Sequence, residues 1–276
     1  MTLNIVVWRI YFSEDDLARI EVSPTMGPLA ETVLAAALLR SQRQPRVLSE
    51  WRGQVRVTPQ MRPLTALLPP GCHGVDLPTL TGENATIEQG LQALLDLPRE
   101  HLLVEMEYTD RRHRLPALAW AMAEAGRRPE LAEAAQAAYR ELVRPFWPRI
   151  RGCLHAEQAT RRRTLARAGP SALLASLQGP RIRWRPPVLE IAMPNDVEME
   201  LDGRGIALVP SVFIGKDPSL HENPTGGSTH RGDESPASRP IVSSRRIGAT
   251  EGVTIVGMVI TARTDSEDLR ECEDSP

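Results

Sequence analysis

Lysine is nearly missing: Lys216 is the only one among 33 basic residues, which face 35 acidic ones for a net charge of −2. That balance excludes a chain-wide polybasic strip as a source of affinity for nucleic acid or membrane surfaces. Aromatic residues make up 4% of the 276 positions, so the core must rest on Leu, Val, Ile, Ala and Met. Cysteine is scarce too. Cys72, Cys153 and Cys272 stand far apart and are odd in number, which argues against a disulfide framework and for a reducing, cytoplasmic setting. No run approaches the roughly 20 apolar residues of a membrane span. The opening residues have neither a basic n-region nor a signal-peptide apolar stretch.

The motifs of common chemistries are absent as well. Nothing reads Gly-x-x-x-x-Gly-Lys-Ser/Thr, Gly-x-Gly-x-x-Gly or Gly-x-Ser-x-Gly. The close Cys/His pairings, Cys72 with His73 and Cys153 with His155, lack the second ligand pair that zinc requires. Helical residues two apart also diverge by about 200°. The paired carboxylates Glu105/Glu107 and Asp15/Asp16 read as surface or cap residues. No metal, no cofactor and no enzymatic activity are expected.

What is present is helical first. A strand-like run from Leu3 to Phe12 precedes Ser13 and Asp16, an N-cap and N3 pair spaced as a capping box. One short helical turn leads to Val22-Ser23-Pro24. From Leu29 a helix carries Leu29, Val33, Ala37 and Leu38 on one face, and residues 41–83 read as short helices and loops. Thr86 and Gln89 suggest another capping box ahead of the Ile87, Leu91, Leu94, Leu95 stripe. Pro98 is expected to open a helix with Leu102, Leu103 and Met106. Leu115–Ala125 is a further segment, closed by Gly126 as a left-handed cap. Pro129 then opens the clearest amphipathic helix, with Leu131, Ala135, Tyr139, Leu142, Val143 and Phe146 on its apolar side. Pro145 and Pro148 must kink or end it, and a helix restarts through Ile150, Leu154 and Leu165 to Gly169.

Beyond that point the period falls from about 3.6 to 2. Arg181–Arg185, Val188–Ile191 and Val197–Leu201 alternate as half-wet strands do. Asp202–Gly205 is a turn, and Ile206–Ile214 is a mostly buried strand interrupted by Pro210. The fold class is α+β: a mainly α-helical body, residues 1–215, with a small antiparallel sheet. Composition breaks at Lys216. Of residues 216–246 only Leu220, Ala237, Ile241 and Val242 are apolar, and sixteen are Gly, Pro, Ser, Thr or Asn. The tail, 216–276, has no aromatic residue and carries seven basic against eleven acidic groups. Such a segment cannot offset ordering entropy of ~1–2 kcal/mol per residue. It is expected to be largely disordered, apart from an isolated strand in Val253–Ile260.

Two basic clusters invite a nucleic-acid reading, since the guanidinium fork pairs well with phosphate. They are Arg161, Arg162, Arg163 with Arg167, and Arg111-Arg112-His113-Arg114. A solvated helix face or loop is the plainer account, and no recognition-helix pattern surrounds either cluster. Only the first is kept as a candidate phosphate-contacting set. Tyr139, Phe146 and Trp147 are candidates for lining a small-molecule pocket between helices, against the plainer role of core anchors.

Four stretches together resemble one family: Phe12–Arg19 (FSEDDLAR) with Val22–Pro24; Trp147–Arg151 (WPRIR) with Ala156 and Glu157; Arg181–Trp184 (RIRW); and Leu201–Phe213 (LDGRGIALVPSVF). The chain is similar to the long-form actinobacterial regulators of the ArsR type over residues 1 to about 214. The resemblance implies a large N-terminal region and then a winged helix-turn-helix, which binds operator DNA as a dimer. It also implies DNA and a second copy as partners; a small-molecule effector is a candidate partner from the pocket reading alone. This sequence departs from the pattern after Phe213. By periodicity the 61-residue tail offers one strand and no helical stripe, and no DNA-contacting residue of the family maps onto a position here. The tail therefore reads as a frame-shifted or replaced C-terminus beginning near Lys216. The alternative is an effector- or partner-binding helical module without DNA binding.

Overall fold

A computed structural model describes residues 7–41, 48–70, 74–177, 181–192, 197–214, 219–222 and 253–259. The chain starts with strand β1 (Val7–Tyr11), a one-turn helix α1 (Glu14–Ala18) and the short strand β2 (Glu21–Val22). The capping box at α1 is complete: Asp16 N–H donates to Ser13 Oγ at 3.1 Å, and Ser13 N–H donates to Asp16 Oδ2 at 2.9 Å. Burial is the largest influence on the Asp16 carboxyl and raises its pKa. Hydrogen bonds from Ser13 and from the Gly203 and Gly205 amides outweigh it, so the pKa ends below the usual value. The Gly205 bond, 3.1 Å long, ties this turn to the distant Asp202–Gly205 loop. Ser13→Ala is expected to cost about 1 kcal/mol, measured as a shift of the urea midpoint. An unchanged midpoint would show that the cap is idle.

Helix α2 (Pro28–Arg40) is buried on every side from Pro28 to Leu38 rather than along one stripe. It forms the centre of the helical layer, contacted by α5 (Leu77–Thr81), α6 (Ile87–Asp96) and α9 (Arg128–Ala138). Ala35 and Ala36 let these neighbours approach on faces that sequence periodicity leaves open. Gly27, its N-cap, has φ 97° and lies against the Asn84 carbonyl, where a Cβ would overlap. Short helices α3 (Ser49–Gln54) and α4 (Arg62–Ala66) fill the segment between α2 and α5, and α7 (Arg99–His113) and α8 (Ala117–Ala121) follow α6. Gly126 is not a left-handed cap. It sits in a 3-10 turn, Ala125–Arg127, that runs straight into α9, so no chain reversal is needed there.

The expected single amphipathic helix after Pro129 is three pieces. Helix α9 ends at Ala138, a π turn covers Tyr139–Val143, and a 3-10 turn covers Arg144–Phe146. Pro145 explains the change, because it cannot donate to a carbonyl in the preceding turn and its ring crowds that turn. Trp51 Nε1 donates to the Leu142 carbonyl at 2.8 Å, which serves one polar group of the widened turn. Helix α10 (Trp147–Ser176) breaks at Gly169 (φ 82°) and restarts at Pro170. The added turn delivers the fully buried Leu173 and Leu174 to the sheet.

Strands β3 (Ile182–Arg185), β4 (Val188–Ala192) and β5 (Val197–Glu200) join β1 in the order β3-β4-β1-β5. Three are antiparallel neighbours, while β5 runs parallel to β1, so the sheet is mixed. The reason is the insertion of β1 between two strands that local alternation would pair directly. Register sets Trp184, Leu189, Ile10 and Met199 in one buried row. The adjacent row, Arg183, Glu190, Arg9 and Glu198, alternates in charge on the opposite face.

Strand β6 (Ile206–Ser211) is the seam between two cores: Ile206 and Leu208 pack with the first sheet, Val209 and the following Phe213 with the helices. It pairs with β2 and with β8 (Val253–Val259), in a second sheet ordered β2-β6-β8-β7, where β7 is Ser219–Glu222. The register slips between Val209 and Pro210, where proline offers no N–H to the ladder. The run at 253 is thus not an isolated strand, since β6 and β7 flank it. The remainder of the expected disordered tail lies outside the described residues.

Candidate functional site

The π turn and the helices around it line an open cavity of about 510 Å³. Tyr139, Arg140 and Arg144 reach it from the π turn and the residue after it, Trp147 and Arg151 from the first turn of α10, and Gln136 from α9. The opposite wall is Pro28, the first residue of α2, with Ala85, Thr86, Ile87 and Glu88 at the start of α6. Gly90 allows this wall to close, because α6 packs there within van der Waals distance of Leu29 on α2.

Three positive guanidinium groups face one carboxylate, Glu88, so the lining holds two unmatched positive charges. Among the described residues, the side chains of Arg140, Arg144 and Arg151 form neither hydrogen bonds nor ion pairs. At the start of α6, Thr86 Oγ1 accepts from Gln89 N–H at 3.3 Å, and Gln89 Oε1 accepts from Ala85 N–H. The N–H groups of Ile87 and Glu88, in the open first turn, have no partner among the described residues. Burial raises the pKa of the Tyr139 phenol, and the Glu88 charge adds to this against the opposing pull of Arg144. The phenol therefore stays a neutral donor.

One turn into α2 stands Glu31, 2% exposed. Burial pushes its carboxyl up to about 7 against donation from Ser211 and from the Val212 and Phe213 amides. The Val212 contact is 3.2 Å. The helix whose first residue lines the cavity is thereby bonded to the end of β6.

Of the candidate pocket residues, Tyr139 and Trp147 line this one cavity. Phe146 does not; it packs, half-buried, on the helical core. In the candidate phosphate-contacting set, three of the four arginines are bonded within the chain. Arg161 pairs with Glu157 at 2.7 Å and bonds Ser176, Arg162 donates to the Val22 carbonyl, and Arg163 donates to Thr160. Arg167 is exposed, with no side-chain partner among the described residues. Arg111 and Arg112 end α7, where cations suit the helix dipole, and Arg112 lies 4.7 Å over the Tyr108 ring. Among the described residues no group of three His, Cys, Asp or Glu is placed to hold a metal. Cys72, His73 and Cys272 lie outside the described residues. Among the described residues no helix is long and apolar enough to cross a membrane.

A second groove, of about 1030 Å³, shares Gln136 and Arg140 but is walled by Leu91, Leu95, Leu118 and Pro129 without an aromatic ring. Sequence reasoning missed Arg140, Arg144, Arg151, Glu88 and Glu31. The i, i+4, i+11 spacing of the three arginines was the available signal. No family model, curated protein or solved structure matches the chain.

Proposed function

We propose that the helical body is the effector-binding part of an ArsR-type transcriptional regulator, a cytoplasmic homodimer. The observation that carries this reading is the cavity, in which three partnerless arginines and two aromatic rings meet between helices. A route for regulation lies beside it. Pro28 opens α2 at the cavity wall, and Glu31 on the same helix accepts the Val212 N–H as the chain leaves β6. The family resemblance implies an operator-reading head beyond that point, so a ligand that shifts the first turn of α2 would bias the head's attachment.

The second reading, an effector- or partner-binding module without DNA binding, is favoured by the apolar-poor composition of residues 216–246. Under the first reading this chain binds DNA at best weakly and without sequence preference; under the second it does not bind DNA. Salt separates the readings: phosphate contacts lose affinity steeply as salt rises, with a slope of about −0.9 per phosphate neutralised. The test is a melting scan of the full chain against charged and neutral aromatic metabolites, run beside a mobility shift. A raised Tm with one compound class and no nanomolar operator complex at physiological salt is expected. An unmoved Tm across that panel, with a nanomolar operator-specific shift, would overturn effector binding as the body's role.

A further inference from the structure

We infer that the cavity between the π turn, α10 and the start of α6 takes an aromatic or heteroaromatic ring bearing a phosphate-like dianion. This rests on the effector-binding reading and names its ligand class. Charge comes first: Arg140, Arg144 and Arg151 against Glu88 leave two positive charges unmatched, and a dianion matches them. Geometry comes second. Arginine binds phosphate through paired donors, and none of these three has a competing partner among the described residues. The uncommitted Ile87 and Glu88 amides, at the positive end of the ten-residue α6, add donors suited to an anion. Third, the half-buried side chains of Trp147 and Tyr139 line the same space, and a flat ring suits an aromatic wall.

The volume, about 510 Å³, is within the range of about 300–1,000 Å³ typical of small-ligand sites. A bare anion would leave the aromatic wall unfilled, and a neutral ring would leave the arginines unmatched. A duplex is too wide to enter; a single nucleotide is of the right size.

The experiment is calorimetric titration of the full chain with adenosine monophosphate, adenosine and inorganic phosphate. The monophosphate is expected to bind at least tenfold more tightly than either fragment. Arg144→Gln with Arg151→Gln should weaken the monophosphate by about tenfold to a hundredfold, from the loss of charge-assisted bonds, and leave adenosine unchanged. Trp147→Leu should weaken the monophosphate and adenosine alike. Both arginines are exposed and partnerless, so an unaltered melting curve of the apo variants serves as the folding control. Equal affinity for adenosine and its monophosphate overturns the anionic requirement. Equal affinity for phosphate and the monophosphate overturns the aromatic one. No binding of any of the three at millimolar concentration overturns the ligand class; effector binding then survives only if another compound in the panel raises the Tm.

Discussion

Glu31→Gln is expected to remove a loss of stability that the wild-type chain suffers as pH rises. The carboxyl titrates near 4.5 in an unfolded chain and at about 7 in the folded one, because burial in α2 disfavours its charge. Between those values the native state keeps a proton that the unfolded state has released. The Glu31 contribution to stability is therefore greatest below 4.5, falls by about 1.4 kcal/mol per pH unit through the interval, and levels off above 7. The total is about 3 kcal/mol. Glutamine has the shape of the protonated acid and still accepts from the Val212 amide, so the variant gains on wild type by that amount from pH 4.5 to 8. Urea unfolding of both proteins at four pH values measures it. A difference that stays constant with pH would sink the account. Glu31→Ala behaves otherwise: it leaves the Val212 N–H buried and unserved, and should be destabilised at every pH.

Trp51→Ala should cost about 4 kcal/mol, the range for emptying a large buried aromatic site. Trp51 is packed at 4.7 Å between ring centroids from Phe213, which ties the end of β6 to the helices. Its indole N–H also serves the Leu142 carbonyl inside the π turn. Trp51→Phe separates the two roles. It keeps most of the apolar contact and leaves the carbonyl unserved, at a cost of about 1–2 kcal/mol. Equal costs for the two substitutions would show that packing is not what holds this junction.

Much of the fold was legible from local signals. The Ser13/Asp16 pair marked α1 because its chemistry is complete within four residues, and alternation from Arg181 to Leu201 marked three strands. The order of those strands was not legible, since Ile10 finds Leu189 and Met199 through contacts that no short window contains. The strand at 219–222 escaped for a related reason: its support comes from β8, more than thirty residues along. At the candidate site, Tyr139 and Trp147 were picked out as aromatics beside prolines, and they do share a cavity. Phe146 diverges because neighbours in a 3-10 or helical turn face different ways. The arginines stayed hidden because their i, i+4, i+11 spacing runs across Pro145 and Pro148, where a continuous helix face was not expected. Glu31 looked like an ordinary polar position on a helix; only the burial of the whole of α2 makes it unusual.

The central place of β1 has a consequence for synthesis. Its partners begin at Val188, so at ~5–20 residues per second the ribosome needs about 10 to 35 seconds to deliver them. Throughout that interval Trp8 and Ile10 sit on a nascent segment with no ladder to join. Holding factors at the tunnel exit would have reason to bind there, and slow codons placed before Val188 would lengthen the wait.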